Sequence, residues 1–186
     1  IVLVHNGNLI NTVQLKREIQ DENKRHINSS SDSEILLNVF ADCLAKECKN
    51  EVDLNEDKIV SAIEHLHDRV EGAYSVILLI VGYGIVAFRD PNGIRPLIYG
   101  KKNDGRYMVA SESVALDCLG YDIIDNVQPG QTVIFNNNKI YKSNYKKGAL
   151  NPCIFEYVYL ARPDSIIDDV NVYQSRLEMG KYLSKK

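Results

Sequence analysis

The hydrophobic periodicity of the chain changes once along its length, and this change limits the possible folds more than any other feature. Up to residue 70, apolar residues recur at helical spacing and predict helices over 11–23, 32–45 and 57–70. From residue 73 onward, short runs rich in β-branched and aromatic residues, bounded by turn residues, predict strands. These strands are expected at 74–81, 85–88, 97–99, 107–110, 132–135 and 139–142. Because helices precede strands without βαβ alternation, the order predicts an α+β fold with antiparallel pairing.

Helix boundaries give more local expectations. Ser31 and Glu34 match the S-x-x-E capping box just before an apolar helical pattern, so a helix is expected to begin there. A brief helix is expected over 113–119. A final amphipathic helix begins near Val172 and is expected still to run at Lys186. The chain is thus expected to begin within a strand and to end within a helix, and we interpret both ends as cut.

Composition and charge exclude several classes of protein. The chain has 186 residues, 45% hydrophobic and 25% charged, as in a soluble globular domain with part of another. A formal net charge of −3 and a pI near 5.8 give no electrostatic footprint for nucleic acid or an anionic membrane surface. The longest apolar stretch, 73–88, is interrupted by Gly82-Tyr83-Gly84 and is shorter than the roughly 20 residues that a membrane helix needs. Small molecules or proteins are therefore the expected partners.

The cysteines and histidines lack the spacing of a disulfide framework or a metal site. The four cysteines are Cys43, Cys48, Cys118 and Cys153. They form no CxxC pair, which favours a reducing, cytoplasmic location. Cys43 and Cys118 lie in apolar helical patterns and are expected in the core. His65 and His67 are two residues apart on a predicted helix, unlike the i, i+4 pair that a metal requires, so no metal site is expected.

The beginning of the chain carries the first candidate site. An apolar run over residues 1–4 breaks into His5-Asn6-Gly7-Asn8. An amide side chain beside an unhindered backbone N–H can bind a negatively charged oxygen. Asn-Gly is also the commonest tight-turn dipeptide, but a helix is expected next and not a second strand. We therefore expect Asn6 and Gly7 in a loop at the end of a strand, with their donors exposed.

Asp32 is the second candidate and has two interpretations. An acid in the first turn of a helix is stabilised by the helix dipole and needs no ligand. Alternatively, its carboxylate faces the ammonium group of a ligand. The residues around Asp32 do not decide between these interpretations.

Six motifs follow one another along the chain. They are HNGNL (5–9), NSSSDSE (28–34), EGAY (71–74), FRDPNGIRPL (88–97), ASESVAL (110–116) and FEYVYLARPDS (155–165). In order and spacing these motifs resemble those of the glutamine phosphoribosylpyrophosphate amidotransferases over essentially the whole chain. The first motif is shared by amidotransferases that use an N-terminal nucleophile, whereas the last two point to the purine-pathway family.

This resemblance implies a fold and a two-step reaction. The fold is a four-layer αββα arrangement, with two antiparallel sheets between helical layers. Residues 1–150 would form a glutaminase domain, and residues 151–186 the junction and first helix of a phosphoribosyltransferase domain. An N-terminal cysteine thiolate would attack glutamine, and the released ammonia would displace pyrophosphate from phosphoribosylpyrophosphate to give phosphoribosylamine. The alternatives are another amidotransferase of this class, such as the one that makes glucosamine 6-phosphate, and a non-catalytic glutamine-binding module.

The resemblance also assigns roles to individual residues. Asn6 and Gly7 would stabilise the oxyanion of the tetrahedral intermediate, and Asp32 would bind the ammonium group of glutamine. Tyr159 would line the path of ammonia, although packing between domains is an equal alternative for these aromatic residues. The nucleophilic cysteine and the arginine that holds the substrate carboxylate would both precede Ile1. The chain as given is therefore expected to be inactive by itself.

Cofactors and partners follow from the same resemblance. No cofactor is expected within the chain, and Mg²⁺ is expected in the phosphoribosyltransferase domain beyond it. Some members of the family hold an iron–sulfur cluster through a cysteine at the position of Cys153, but one cysteine cannot hold a cluster, so none is assigned. Glutamine and phosphoribosylpyrophosphate are the expected small-molecule partners. A cytoplasmic homo-oligomer with no nucleic-acid or membrane partner is expected.

Overall fold

In the computed structural model of the chain, residues 1–22, 24–49, 54–145 and 148–185 are described. The helices are α1 (Thr12–Asp21), α2 (Asp32–Cys48), α3 (Glu56–Arg69), α4 (Ser113–Cys118) and α5 (Val172–Leu183). The strands are β1 (Val2–Leu9), β2 (Gly72–Ile80), β3 (Gly84–Arg89), β4 (Ile98–Lys101), β5 (Tyr107–Ala110), β6 (Asp122–Asn126), β7 (Thr132–Asn136), β8 (Lys139–Lys142), β9 (Ile166–Ile167) and β10 (Val170–Asn171). A π-helical turn, Glu156–Leu160, precedes β9.

The strands form two main antiparallel sheets, which confirms the predicted α+β class. The large sheet has the order β1-β2-β3-β7-β8, and the small sheet has the order β5-β4-β6. A short hairpin pairs β9 with β10. The absence of parallel pairs among these strands agrees with the helix-then-strand order of the sequence.

The sheets and helices are stacked as four layers, as the resemblance implied. Helices α1, α2 and α3 pack against one face of the large sheet and bury the main hydrophobic core. The other face packs on the small sheet through a second cluster that includes Ala87, Tyr99 and Phe135. Tyr99 faces this cluster, and a Cβ added at the next residue, Gly100, would lie 3.3 Å from Leu116 of α4. Since neighbouring side chains in a strand alternate between faces, α4 covers the outer face of the small sheet.

Strand β1 differs from the expectation for the first motif. It continues through Asn6 and Gly7 to Leu9, paired with β2 along its whole length, so these two residues do not lie in a loop after the strand. The φ angle of Gly7 is +153°, and a Cβ there would lie 1.9 Å from the carbonyl oxygen of Ala73. Glycine at this position allows the close approach of β2, and therefore the dipeptide does not end the strand.

Several other boundaries also differ from the predictions. Helix α1 ends at Asp21, and residue 23 of the predicted helix lies outside the described residues. Helix α2 continues to Cys48, beyond its predicted end. Helix α5 ends at Leu183, before Ser184 and Lys185, and Lys186 of the predicted helix lies outside the described residues. Strand β6 and the hairpin β9–β10 were not predicted.

The segment that follows β8, the last strand of the large sheet, runs back along the turn after β3. Of the predicted connection at 145–150, residues 146 and 147 lie outside the described part of the chain. Beyond them, the backbone N–H groups of Ala149, Asn151 and Cys153 donate to carbonyl groups in the segment 91–94. The following residues bury a small cluster of their own, formed by Tyr157, Ala161, Ile167 and Val172. This path places the π-helical turn beside Arg95, which in turn binds Asn6 of β1.

No described helix is both long enough and apolar enough to cross a membrane.

Candidate active site

Strand β1 carries the candidate residues on both of its faces. Asn6 is opposite Ser75 of β2, and His5 is opposite Val76. Because side chains alternate along a strand, Asn6 lies on the face toward the small sheet while His5 lies on the helix side. Asp32, the first residue of α2, accepts a hydrogen bond on Oδ2 from the backbone N–H of Leu9 at 3.2 Å. The fold thus brings Asn6, Gly7 and Asp32 to one stretch of β1.

The amide of Asn6 is fixed at both of its polar atoms. Its Oδ1 accepts from Nη2 and Nε of Arg95, at 2.8 and 3.1 Å. Its Nδ2 donates to Oγ of Ser111 at 3.1 Å. An arginine side chain has only donors, so the amide oxygen faces Arg95. One N–H of the Asn6 amide then binds Ser111, and the other has no partner among the described residues.

Arg95 is itself held by neighbouring strands and by the π-helical turn. Its carbonyl oxygen accepts from Oγ of Ser75 at 2.8 Å and from Nε of Arg89 at 2.6 Å. The turn before it is organised by Asp90, whose carboxylate accepts from the backbone N–H groups of Asn92 and Ile94. These contacts direct the guanidinium of Arg95 between Asn6 and Glu156.

Glu156 begins the π-helical turn and is 3% exposed. Its Oε1 lies 2.6 Å from Nη1 of Arg95, in an ion pair. Burial raises the pKa of the Glu156 carboxyl, and the positive charge of Arg95 opposes that rise. A buried carboxylate needs such a partner to remain charged.

The second anchor of Asn6 also leads to the C-terminal segment. Ser111 is followed by Glu112, whose Oε2 accepts from the backbone N–H of Arg162 at 2.8 Å and from Oγ of Ser165 at 2.6 Å. Ser113 accepts from the backbone N–H of Ile166 at 2.8 Å. The fifth and sixth sequence motifs are therefore in direct contact.

Asp32 lies in a partly exposed position beside a buried histidine. The side chain of Asp32 is 25% exposed, whereas that of His5 is 1% exposed, and Nδ1 of His5 lies 3.7 Å from Oδ1 of Asp32. The His5 ring also lies 3.3 Å from Oγ of Ser33. Burial lowers the pKa of His5, while Asp32 acts in the opposite direction. His5 is therefore a hydrogen-bonded part of the scaffold under Asp32.

The start of α2 confirms half of the predicted capping box. The side chain of Ser31 accepts from the backbone N–H of Ser33 at 3.3 Å, as expected. Glu34 instead accepts from the backbone N–H groups of Asn28 and Ser29, each at 2.7 Å. These hydrogen bonds, led by that from Asn28, lower the pKa of Glu34 to about 2. Glu34 thereby fixes the loop before Asp32 and so holds Asp32 in its position beside β1.

Tyr159 lies on the π-helical turn and is 78% exposed. Arg95, Ser111 and Glu156 belong to the quoted motifs but were not identified as site residues from the sequence. Their contacts with Asn6 or with one another join residues far apart in the chain, and local spacing carries no signal of that kind.

The cysteines do not take part in this site. All four are free thiols. Cys43 is buried as predicted and accepts from Nη1 of Arg69 at 3.2 Å, whereas Cys118 is exposed and its expected place in the core is wrong. In the part of the chain that the structure describes, no group of three or more His, Cys, Asp or Glu residues could hold a metal ion.

Comparison with known proteins places this geometry in a family. Residues 1–118 match the family described as "Glutamine amidotransferase domain". The amidophosphoribosyltransferase of Pseudomonas aeruginosa is 50% identical over 191 residues, covering 100% of this chain and 38% of the relative. That of Escherichia coli is 47% identical over 192 residues, with the same coverage of 100% and 38%.

A solved structure of similar fold is glutamine phosphoribosylpyrophosphate amidotransferase from B. subtilis, complexed with ADP and GMP. Its TM-score is 0.80 at 33% sequence identity, and the match covers 99% of this chain and 38% of that one. The chain thus spans 38% of the length of these relatives. The matched residues include β1, Asp32, Arg95 and Ser111. The chain belongs to the glutamine amidotransferase domain family.

Proposed function

We propose that residues 1–150 are the glutaminase half of an amidophosphoribosyltransferase, which releases ammonia from glutamine and transfers it to phosphoribosylpyrophosphate. The observation that carries the proposal is the fixed orientation of the Asn6 amide, with Oδ1 turned to Arg95 and Nδ2 available as a donor. The names of the relatives support the choice of acceptor. The product is phosphoribosylamine, in the first step of de novo purine synthesis.

In the proposed first step, a cysteine thiolate attacks the side-chain carbonyl carbon of glutamine. The carbonyl electron pair moves to oxygen, and Nδ2 of Asn6 and the backbone N–H of Gly7 donate to this oxyanion. The α-ammonium group of that cysteine passes a proton to the leaving nitrogen, so collapse of the intermediate expels ammonia and leaves a thioester. Water then hydrolyses the thioester to glutamate and free thiolate, and the α-amino group takes up one of the protons released. One such donor typically contributes about 3 kcal/mol of transition-state stabilisation.

In the proposed reaction, the nucleophile is a cysteine whose own α-amino group acts as base. Cys43 is buried in the core beside Arg69, and burial raises the pKa of its thiol. The chain supplies the oxyanion donors and one end of the substrate site.

Asp32 is proposed to bind the α-ammonium group of glutamine. Its Oδ2 is engaged by the N–H of Leu9, and its partly exposed carboxylate can accept a second, charge-assisted hydrogen bond from a ligand. The hydrogen bonds of Glu34 to the preceding loop support this role, because they limit the positions that Asp32 can adopt.

Residues 151–186 are proposed to begin the phosphoribosyltransferase domain. Their separate hydrophobic cluster supports this division. Tyr159, exposed on the π-helical turn next to Glu156, is proposed to line the path of ammonia between the two sites. Mg²⁺ is proposed to act with phosphoribosylpyrophosphate in that second domain. Among the described residues of this chain, no group of three or more His, Cys, Asp or Glu residues could hold this ion.

We also propose that the protein works in the cytoplasm, which its four free thiols support. A homo-oligomer is proposed from the resemblance to the family. The net charge of −3 supports small molecules, and not nucleic acid or an anionic membrane, as partners.

An acceptor assay tests the proposed function. The protein, expressed with its whole reading frame, is incubated with glutamine and either phosphoribosylpyrophosphate with Mg²⁺ or fructose 6-phosphate. We expect glutamate and pyrophosphate to form in equal amounts with the first acceptor, and no transfer to the second. Transfer to fructose 6-phosphate would contradict the proposal in favour of glucosamine 6-phosphate synthesis. Glutamine binding without glutamate formation would indicate a non-catalytic module.

A further inference from the structure

We propose that Arg95 is a positioning residue that holds the Asn6 amide in the orientation that can donate to the oxyanion, and that Glu156 in turn holds Arg95. This inference rests on the proposed function of Asn6 and concerns how that residue is controlled. It makes the C-terminal segment, here residues 155–166, part of the control of the glutaminase site.

Arg95 decides the orientation of the amide, and Ser111 does not. Rotation of the Asn6 amide by 180° would exchange Oδ1 and Nδ2 and bring an N–H₂ group against the guanidinium. Two donors would then face each other beside a positive charge, since arginine has no acceptor. The hydroxyl of Ser111 can donate or accept, so it would tolerate either orientation. The two short contacts from Arg95, at 2.8 and 3.1 Å, therefore keep Nδ2 available.

Glu156 decides the position of the guanidinium. Arg95 uses Nε and Nη2 for Asn6 and Nη1 for Glu156, so a single planar group joins both partners. The Arg95 side chain is 20% exposed and that of Glu156 is 4% exposed, which excludes most of the water that would screen their attraction. Loss of the Glu156 charge would leave the guanidinium without its acidic partner, free to turn toward solvent.

The other anchor of Asn6 depends on the same segment. Ser111 precedes Glu112, which is bound by Ser165 and by the backbone N–H of Arg162. A shift of the C-terminal segment would therefore move the partners of both Oδ1 and Nδ2. The π-helical turn, a form of helix often found at functional sites, begins at Glu156, which binds Arg95, and ends two residues before Arg162, which binds Glu112.

A double-mutant cycle separates positioning from a purely structural role. In the protein with its whole reading frame, we expect Arg95→Lys to lower kcat for glutamine hydrolysis about tenfold, because a point charge cannot bridge Asn6 and Glu156. KM for glutamine should change by less than about twofold, since the lost interaction is made in the transition state. Ammonia-dependent synthesis should be unchanged, which also reports that the variant folds. Glu156→Gln should also lower kcat for glutamine hydrolysis, and it replaces Arg95→Lys in the test if that variant does not fold.

The decisive comparison is made in the Asn6→Ala background. If Arg95 acts through Asn6, adding Arg95→Lys to Asn6→Ala changes kcat by less than about twofold. Arg106→Lys is the matched control, because Arg106 forms an exposed ion pair with Asp104 and should leave kcat unchanged. If kcat of the double variant instead falls by the product of the two single-variant factors, the positioning role is overturned and the proposed function is left intact. A normal glutaminase kcat in Asn6→Ala would overturn both the role of Asn6 and this inference.

Discussion

Arg89 and Asp168 form a bidentate ion pair in the interior of the protein. Nη1 and Nη2 of Arg89 donate to the two carboxylate oxygens of Asp168, at 2.7 and 2.8 Å. The side chains are 1% and 8% exposed. Arg89 ends β3 of the large sheet, and Asp168 lies in the tight turn between β9 and β10. The pair therefore fastens the turn between β9 and β10 to the end of β3, close to the Arg95–Glu156 contact.

Asp168→Asn tests this attachment. Asp168 has a φ of +46°, which asparagine also tolerates, so the substitution removes the charge and preserves the backbone. Because it leaves the buried Arg89 without its acidic partner, we expect the free energy of unfolding to fall by about 3 kcal/mol in urea titrations. Asp164→Asn is the control, since Asp164 and its partner Arg162 are exposed, and it should leave the free energy of unfolding unchanged. Equal effects of the two substitutions would contradict the assignment.

Gly7→Ala tests the close approach of β1 and β2. The new Cβ would lie 1.9 Å from the carbonyl oxygen of Ala73, so the strands would have to separate. We expect a loss of about 3 kcal/mol or more in the free energy of unfolding. Gly105→Ala is matched to it, because Gly105 also has a positive φ, +90°, but nothing lies within 4 Å of its added Cβ. That variant should lose about 1 kcal/mol, and a similar loss in both would show that backbone strain alone accounts for Gly7.

Asp32→Asn separates substrate binding from helix capping. Asparagine can still accept from the N–H of Leu9 but cannot attract an ammonium group through a full charge. We expect KM for glutamine to rise about tenfold to a hundredfold, with little change in kcat, in steady-state glutaminase assays. Asp57→Asn, which removes an acid from the first turn of α3, should leave KM unchanged. An unchanged KM in Asp32→Asn would restrict Asp32 to the helix terminus.

The buried side chain of His67 should make the stability of the protein depend on pH. The ring is buried, with Nδ1 2.8 Å from the hydroxyl of Tyr74, and burial lowers the pKa of His67 from 6.5 to about 4. The unfolded chain therefore binds a proton first as the pH falls below 6.5, and stability is lost between there and about pH 4. We expect this residue to account for a decrease of about 3 kcal/mol in the free energy of unfolding over that range.

Urea titrations at several pH values measure this contribution. His67→Gln should flatten the pH dependence, whereas His65→Gln should retain it, because the His65 side chain is 58% exposed. If the free energy of unfolding depends on pH in the same way in His67→Gln and in the native protein, His67 is not the cause of that dependence. The lowered pKa of His5 acts in the same direction and is present in all three proteins.

Elements that are specified by local chemistry were predictable from the sequence. The start of α2 follows from Ser31, whose side chain binds the N–H of Ser33. Strand β2 of the large sheet follows from a long apolar run that is largely buried. In these segments, the local preference and the tertiary environment favour the same structure.

Other elements depend on contacts that the local sequence does not carry. Ile123 and Ile124 of β6 are each 42% exposed, so this strand has no hydrophobic alternation and exists because it pairs with β4. The continuation of β1 through Gly7 likewise depends on the position of Ala73 in the partner strand. Both cases show tertiary pairing overriding a local signal.

The site was predictable only in part for the same reason. Asn6, Gly7 and Asp32 were recognised as candidates by residue type, and the fold brings them together on β1. Arg95 lies 89 residues from Asn6 along the chain, and its effect on the amide becomes visible only when the strands are assembled.

The most direct test of the account is the ratio of two activities in Asn6→Ala, measured on the protein with its whole reading frame. In the proposed mechanism, glutamine-dependent activity requires the oxyanion donor, whereas synthesis from free ammonia does not use it. We predict that kcat for glutamine hydrolysis falls about a hundredfold or more and that ammonia-dependent synthesis is unchanged. An equal loss of both activities, or no loss of either, would contradict the assignment of Asn6 as an oxyanion donor.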